Sequence, residues 1–301
     1  IEKKWNEWII SDENINITHT NYQKPYCVIS FKKWKNYCLN TKNKLEIVNK
    51  KVVQYYPVKN YFKIITANNK EYYAKKIFDS RSVKEKQGEI IQHFLGVNID
   101  VADNTFNEKK LTLMHFTQEK DILHFIYILP FSHNKALVES TVFSKEAYSE
   151  SWYREKIYQY LKLNNISEFH ERSMEKGIIP MFFADESKSQ NPNIINIGIR
   201  GGACKPSTGY AFSFLIKQIQ LLKKSNKNYV NVHNYLERKM DKIFINYLKN
   251  NNENGKSFIA LASNLNGEEF QSFMMGESSI LTKIKIIRSM PKLPFLREIF
   301  K

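Results

Sequence analysis

A glycine-rich segment lies between a short apolar run and a helical run, and this order restricts the fold more than any other feature of the sequence. Residues 194–198 predict a strand, and residues 210–224 carry apolar side chains at helical spacing. The segment between them contains Gly198, Gly201, Gly202, Pro206 and Gly209. Glycine lets a backbone approach an anion closely, and the N–H groups at a helix start point toward such an anion. The pattern predicts an α/β unit with a phosphate-binding turn; a plain turn before a helix cap is the alternative.

The usual dinucleotide fingerprints are absent from the sequence. Neither GxGxxG nor GxxxxGK[ST] occurs in the 301 residues. The first residue is Ile1 rather than methionine, and the chain starts abruptly with Lys3, Lys4 and Trp5 close behind. We therefore expect a fragment whose natural beginning, with any dinucleotide fingerprint, lies upstream.

The rest of the chain divides into a β-rich part and a helical part. Strands are predicted at 52–56, 61–66, 71–78, 111–117, 122–129 and 136–143. The first three include a hairpin turn at 67–70, and the last three, separated by polar turns, predict an antiparallel sheet. Apolar spacing predicts a helix over 149–163 and a largely helical chain from residue 229 onward.

The charge of the chain limits its possible partners. Lys and Arg total 46 against 30 Asp and Glu, a net charge of +16, and 42% hydrophobic residues favour a folded core over disorder. The lysines are scattered and no aromatic stacking motif accompanies them, so no specific nucleic acid is expected; a basic nucleic-acid-binding protein is the alternative of another class. The longest apolar run, 122–131, contains His124 and Pro130 and is too short to span a membrane.

Apolar and basic residues are interspersed near the C-terminus. The residues concerned are Ile280, Leu281, Lys283, Ile284, Lys285, Ile287 and Arg288. Such a segment predicts contact with an anionic membrane surface, where a lipid-soluble substrate could enter. A solvated helix face over the core is the alternative. Three cysteines without a CxxC pair are typical of reduced thiols in a cytosolic protein.

The glycine-rich segment also carries a family resemblance. Residues 198–210 read Gly-Ile-Arg-Gly-Gly-Ala-Cys-Lys-Pro-Ser-Thr-Gly-Tyr, which resembles the C-terminal flavin motif of the lycopene cyclases. Other segments resemble that family in its order, at 5–8, 78–81, 92–96, 113–116, 129–132, 137–141, 177–181, 273–276 and 290–296. Two positions depart from the family pattern: His115 stands where aspartate is frequent, and Ser82 stands where proline usually follows Asp-Ser-Arg.

The resemblance implies a fold and a division into domains. The fold would be an α/β, FAD/NAD(P)-binding fold of the flavoprotein-monooxygenase type that lacks its first βαβ unit. An antiparallel β-sheet substrate domain and a helical C-terminal region would accompany it. The expected boundaries are 1–86 for a partial FAD-binding domain, 87–180 for the sheet domain, 181–224 for a return to the FAD-binding domain and 225–301 for the helical region.

The resemblance also implies an activity. A lycopene β-cyclase converts the linear end groups of lycopene to β-ionone rings without net redox change, giving β-carotene or γ-carotene. The family needs FAD in its reduced form, so NAD(P)H is the expected reductant. The enzyme would act in the cytoplasm, peripheral to the inner face of the cell membrane. Within the same fold, a geranylgeranyl reductase or a monooxygenase is the alternative.

Glu139 is the expected catalytic residue. In an alternating strand, Leu137, Glu139, Thr141 and Phe143 share one face. A carboxyl group between leucine and phenylalanine is desolvated, which raises its pKa and suits a proton donor. The resemblance matches Glu139 and Thr141 to the essential Glu-x-Thr of the family. A strand glutamate that faces solvent is the alternative.

The resemblance assigns further contacts. Expected cofactor-binding residues are Asp79, Arg81, Gly198, Gly201, Gly202, Pro206, Thr208 and Gly209. Gln92, Phe94 and Thr141 are expected near the flavin or the substrate. A surface salt bridge is the alternative for Asp79 and Arg81, and an ordinary strand start is the alternative for Gln92 and Phe94.

No metal site is expected. His115, His124 and His133 recur every nine residues, which matches no zinc-ligand spacing, so they are interpreted as strand and turn residues. Cys204 lies in the glycine-rich segment without a catalytic partner in the sequence and is interpreted as a packing residue.

Overall fold

The computed structural model describes residues 1–40, 45–83, 87–102, 105–183, 189–225, 227–251 and 255–299. Its strands are β1 (Lys3–Trp5), β2 (Glu7–Ser11), β3 (Asn16–Thr20), β4 (Tyr26–Val28), β5 (Val52–Val58), β6 (Tyr61–Thr66), β7 (Glu71–Ala74), β8 (Ile77–Asp79), β9 (Ile91–Val101), β10 (Lys110–Phe116), β11 (Leu123–Ser132), β12 (Lys135–Ser144), β13 (Phe169–Pro180) and β14 (Ile194–Asn196). Its helices are α1 (Phe31–Asn40), α2 (Glu150–Leu163), α3 (Phe212–Lys224), α4 (Tyr235–Asn250), α5 (Lys256–Asn264), α6 (Gly267–Met274), α7 (Ile280–Ser289) and α8 (Lys292–Ile299).

The largest sheet has seven strands in the order β13-β9-β12-β11-β10-β2-β3. Its central pairs are antiparallel, which confirms the sheet predicted from the three runs between residues 111 and 143. β2 and β3 also belong to this sheet, because β2 pairs in parallel with β10. Residues 7–20, which the sequence analysis places in the partial FAD-binding domain, therefore extend the substrate sheet.

The two faces of this sheet are both covered. One face packs against α2 through Tyr153, Ile157 and Leu161, whose spacing puts them on one side of the helix. The opposite face carries Leu137 and Phe143 and packs against α5, α6 and α7. The predicted alternation of β12 is confirmed, because its even-numbered apolar residues face α2 and its odd-numbered ones face the C-terminal helices.

Two of the smaller sheets are formed by strands that come before the glycine-rich segment in the sequence. β5, β6 and β7 form an antiparallel sheet, and β8 and β14 form a parallel pair in which Asp79 lies beside Asn196. The predicted returning strand over 71–78 is wrong in its second half. The hairpin ends at Ala74, and β8 leaves it to pair with β14, which is distant in sequence.

The C-terminal helices cover the sheet, and no helix in the described residues is both long and apolar enough to cross a membrane. Gly255 is the N-cap residue of α5 and has a φ of 80°. A Cβ atom at Gly255 would lie 2.2 Å from the Phe116 ring, and that ring contacts Phe258 of α5. The start of α5 therefore rests directly on the sheet.

We expect Gly255→Ala to lower the free energy of unfolding by about 3 kcal/mol, because it combines left-handed backbone strain with a clash against Phe116. Gly88→Ala is a matched control. Gly88 has a φ of 78° but no atom within 4 Å of the added Cβ, so only the strain of about 1 kcal/mol remains. Urea unfolding of both variants measures the difference, and equal losses would contradict the packing argument.

Candidate active site

A buried aspartate closes the carboxyl end of the β8–β14 pair. Asp79 is 4% exposed and accepts hydrogen bonds from the Arg81 backbone (3.0 Å) and guanidinium (2.8 and 2.9 Å). Tyr55 donates to Asp79 Oδ2 at 3.1 Å, and Arg200 Nε lies 3.3 Å from the same oxygen. Burial opposes ionisation, but Arg81 and Arg200 outweigh it and lower the pKa of Asp79. The ion pair of Asp79 and Arg81 is therefore not a surface salt bridge, because the Asp79 carboxylate is buried. Asp79 joins β5, β8 and the glycine-rich segment.

Gln218 of α3 holds the first part of the glycine-rich segment. Its Oε1 accepts the Gly198 N–H and its Nε2 donates to the Gly201 carbonyl, both at 2.8 Å. A Cβ at Gly201 would lie 2.3 Å from the Asn196 carbonyl oxygen, so this position excludes a side chain. Gly198 and Gly202 have φ values of 66° and 80°, which favour glycine. These glycines are required by the turn itself.

The N–H groups of this turn bond inward. Gly201 donates to Ile197 at 3.2 Å, and Gly202 and Ala203 donate to Ile199 and Gly198 at 2.9 Å. The N–H groups of Gly201 and Gly202 are therefore already hydrogen-bonded within the turn, and in this conformation they are not available to the anion predicted from the sequence. The N–H groups in the first turn of α3 lie further along the chain. Ala211, the N-cap residue, provides no side-chain cap for them within the described chain.

The second part of the segment is tied to α4. Lys205 Nζ lies 2.7 Å from Asp241 Oδ1, and both side chains are only 1% exposed. Ser207 Oγ donates to the same oxygen at 2.6 Å. Pro206 and Thr208 are buried beside this ion pair, so their side chains serve the packing of the segment.

Glu139 belongs to a row of residues that crosses four strands. Tyr127 of β11, Glu139 of β12, Gly96 of β9 and Glu175 of β13 are direct cross-strand neighbours and share one face. Burial raises the pKa of Glu139 to about 7; a hydrogen bond from Thr141 at 2.6 Å opposes the shift, and the charge of Glu175 adds to it. Glu139 therefore holds a proton near neutral pH, whereas a solvent-facing glutamate would be ionised.

The neighbouring row contains the other residues expected near a flavin or substrate. Thr141, Phe94 and Gly177 are cross-strand neighbours, and the Phe94 ring occupies the space that a Cβ at Gly177 would take, 2.8 Å away. Gln92 follows on the same strand face, and its Oε1 is buried without a hydrogen-bond partner among the described residues. A Cβ at Gly209 would lie 2.2 Å from that oxygen. The end of the glycine-rich segment thus meets the face that carries Glu139.

An open cavity of about 770 Å³ lies beside this row. Its wall includes Tyr127, Phe131, Leu137 and Glu175. Tyr127 shares a 2.9 Å hydrogen bond with Tyr26, and burial raises the pKa of Tyr26 to about 12, so that phenol is neutral. The row therefore places the protonatable carboxyl group of Glu139 beside aromatic rings, next to a cavity whose wall mixes apolar and charged side chains. That combination can donate a proton and stabilise a positive charge.

The histidines and the cysteine lie elsewhere. His124 Nε2 and Ser140 Oγ are 2.8 Å apart on the face toward α2, and His115 lies 3.0 Å from Ser11 Oγ. Within the described ranges, no group of three or more His, Cys, Asp or Glu side chains could hold a metal ion. Burial raises the pKa of Cys204 to about 12, so its thiol stays protonated and packs in the segment.

Sequence reasoning did not find several residues that shape this site. Gln218, Asp241 and Glu175 each act through a partner that is distant in sequence, whereas Gly96 belongs to the family-like segment 92–96. Lys283 was placed with the lipid-facing residues, yet it is 5% exposed and lies 3.1 Å from Glu237. Only Glu175 had a local signal, because alternation along 175–179 places it on the same face as Gly177.

Solved structures define the fold. A geranylgeranyl bacteriochlorophyll reductase-like protein of Thermoplasma acidophilum is 12% identical to this chain, with a TM-score of 0.60. The match covers 100% of this chain and 83% of the other. HpxO of Klebsiella pneumoniae, solved with FAD and uric acid, is 9% identical with a TM-score of 0.58 over 93% and 82% of the two chains. A flavoprotein/dehydrogenase of Cytophaga hutchinsonii is 10% identical with a TM-score of 0.52 over 96% and 84%. The chain therefore has the α/β flavoprotein fold expected from the sequence.

The family follows from the sequence of the whole chain. The model of the family described as lycopene cyclase protein matches residues 1–299. This chain belongs to the lycopene cyclase family. No curated protein gives a match.

We expect Asp241→Asn to destabilise the protein by about 3–5 kcal/mol, because it leaves the Lys205 ammonium buried without a countercharge. Lys176→Met breaks an exposed ion pair with Glu150, in which the side chains are 66% and 41% exposed, and should cost less than about 1 kcal/mol. Thermal unfolding of the two variants makes the comparison. A loss for Asp241→Asn no larger than that of the control would show that the buried pair is unimportant.

Proposed function

We propose that this chain is a lycopene β-cyclase that converts lycopene end groups to β-ionone rings. The observation that carries the proposal is Glu139, a carboxyl group with a pKa of about 7 on the sheet face that meets the glycine-rich segment. A carboxyl with that pKa is protonated in part at neutral pH and can give its proton to a double bond. Membership of the lycopene cyclase family supports the substrate.

The residues near Gln92 fit a flavin. Gln92 Oε1 is a buried acceptor without a partner in the described chain. A side chain at position 209 would clash with this oxygen, so only glycine fits beside it. The first N–H groups of α3 suit an anionic group of FAD, and Asp79, Arg81 and Gln218 hold the segment that leads to them. Bound reduced FAD would supply negative charge near the substrate cation, and NAD(P)H is the proposed reductant.

Glu139 performs the proton transfers of the proposed reaction. Its proton adds to the terminal double bond of lycopene and leaves a tertiary cation on the neighbouring carbon. The next double bond attacks that cation and closes the ring. The Glu139 carboxylate then takes a proton from the ring, which forms the ring double bond and restores the acid, so no electrons are exchanged overall. Tyr127 and Phe131 line the adjoining cavity, where aromatic rings stabilise positive charge.

The proposed location is the cytoplasmic face of a membrane with anionic lipid. Ile280 and Leu281 of α7 are 71% and 73% exposed, and Ile284 and Ile287 continue the same helix face. Arg288 and Lys292 lie at the rim of an adjacent apolar cavity of about 450 Å³, which is also lined by Ile287 and Phe258. An exposed apolar face with basic neighbours suits an anionic lipid surface from which a polyene can enter.

We expect Glu139→Gln to reduce cyclisation by at least 10²-fold, because the amide cannot donate a proton. The whole gene that encodes the chain is expressed in lycopene-accumulating cells, and the pigments are separated and identified. Glu171→Gln is the control, since Glu171 pairs with Arg154 away from the site. Normal ring formation by Glu139→Gln would remove Glu139 from the mechanism.

The unmodified protein decides between the cyclase and its relatives of the same fold. Bicyclic or monocyclic β-ring products support the cyclase. Unchanged lycopene together with stoichiometric NAD(P)H consumption would instead favour a reductase or a monooxygenase.

We expect Gly201→Ala to weaken flavin binding at least tenfold, a change of about 1.4 kcal/mol, because the methyl group would displace the Asn196 carbonyl. Gly198→Ala is the comparison in the same turn: its φ of 66° strains an alanine, but its added Cβ meets no atom closer than 3.7 Å, so it measures the effect of backbone strain without the clash. Flavin titration monitored by absorbance measures both. Unaltered affinity in Gly201→Ala would refute the placement of the cofactor beside this turn.

A further inference from the structure

A second carboxylate, that of Glu175, lies on the same sheet face as Glu139, two strands away. Glu139 and Glu175 are both direct neighbours of Gly96, on its two sides. We propose that the negative charge of the Glu175 carboxylate keeps the catalytic proton on Glu139. The proposal deepens the proposed cyclase function and rests on it for the identity of the reaction.

Gly96 lies between Glu139 and Glu175 in this row. A Cβ atom at Gly96 would lie 3.4 Å from Glu175 Cγ and 3.5 Å from Glu139 Cβ. A larger residue would fill that space and separate the two carboxyl groups with apolar atoms. Position 96 has no side chain of its own, and the space there is shared with the end of the Leu137 side chain, whose Cδ1 would lie 3.0 Å from the same Cβ. Two carboxyl groups in one row of a sheet face interact through their charges, and the charge of Glu175 adds to the rise in the pKa of Glu139.

The two acids differ in their access to water. Glu139 is only partly exposed and is held by Thr141, whereas Glu175 is exposed and lines the open cavity of about 770 Å³. Glu175 is therefore hydrated and can carry its negative charge beside the less exposed Glu139 carboxyl group.

Other charged groups around the pair are engaged or distant. Arg172 of β13 lies 2.6 Å from Asp100 of β9, and Lys3 of β1 lies 3.0 Å from Glu108. Lys135 lies at the start of β12, four residues from Glu139 and therefore roughly 13 Å along the strand.

The remaining neighbours do not offset the carboxylate charge. Lys176, next to Glu175, points to Glu150 of α2. Burial raises the pKa values of Tyr26 and Tyr127, so both phenols are neutral. Partial burial also raises the pKa of Glu175. Within the described chain, the charged group that faces Glu139 in its own row is Glu175.

Glu175→Gln tests the proposal by two titrations of the full protein. The infrared C=O band of protonated Glu139 is identified by its loss in Glu139→Gln and is then titrated against pH. The pH–rate profile of cyclisation is measured in parallel. The control is Glu171→Gln on the same strand, because Glu171 is paired with Arg154 and Tyr158.

We expect the unmodified protein and Glu171→Gln to titrate near pH 7, with cyclisation falling at higher pH as Glu139 loses its proton. Removing the charge of Glu175 makes ionisation of Glu139 easier, so its midpoint in Glu175→Gln should fall by roughly 0.5–1 pH unit. Cyclisation by Glu175→Gln should then be about three- to tenfold lower than normal at pH 8 but less than about twofold lower at pH 6.

The outcomes separate this inference from the proposed function. An infrared midpoint in Glu175→Gln equal to that of the unmodified protein would overturn the coupling. An equal loss of rate at every pH would also overturn it, because that is the signature of a structural defect. A shifted infrared midpoint in a protein that forms no rings from lycopene would support the coupled pair and reject the cyclase.

Discussion

The register between β9 and β12 sets the geometry on which the candidate site depends. It places Gly96 opposite Glu139 and Phe94 opposite Thr141, so the expected catalytic and flavin-proximal residues share one face. A slip of one residue would turn Glu139 toward α2, where Val138 and Val142 now pack. The C-terminal helices pack on the same face at Leu137 and Phe143. Burial is the main cause of the raised pKa of Glu139.

The glycine-rich segment is held to this sheet by buried polar contacts. Arg200 binds Asp79 at one end, Gln218 bonds two backbone groups in the middle, and Lys205 pairs with Asp241 toward the other end. Buried charges of this kind are stable only when paired, so each contact restricts the segment to one position. Gly209 consequently lies against Gln92, and the proposed flavin site and the proposed acid stand on one surface.

Local patterns predicted the parts of the fold that repeat in sequence. The strands β10 to β12 and the helices α2 and α3 were found because alternation and helical spacing are written in consecutive residues. The same patterns continue one strand through residue 78, since the parallel pairing of β8 with β14 leaves no local signal. The parallel pairing of β2 with β10 likewise has no local signal. Lys283 was assigned to a lipid-facing surface for the same reason: its partner Glu237 lies on another helix.

The order of the residues is enough to show which side of β12 carries Glu139, which glycines form the turn, and that the chain belongs to the lycopene cyclase family. The surroundings of these residues follow only from the folded chain. The fold placed Glu175 across Gly96, turned the glycine N–H groups inward, and buried Lys205 with Asp241. The physical reason is that side-chain direction follows from backbone geometry within a strand, whereas burial and charge partners depend on elements brought together from distant parts of the chain.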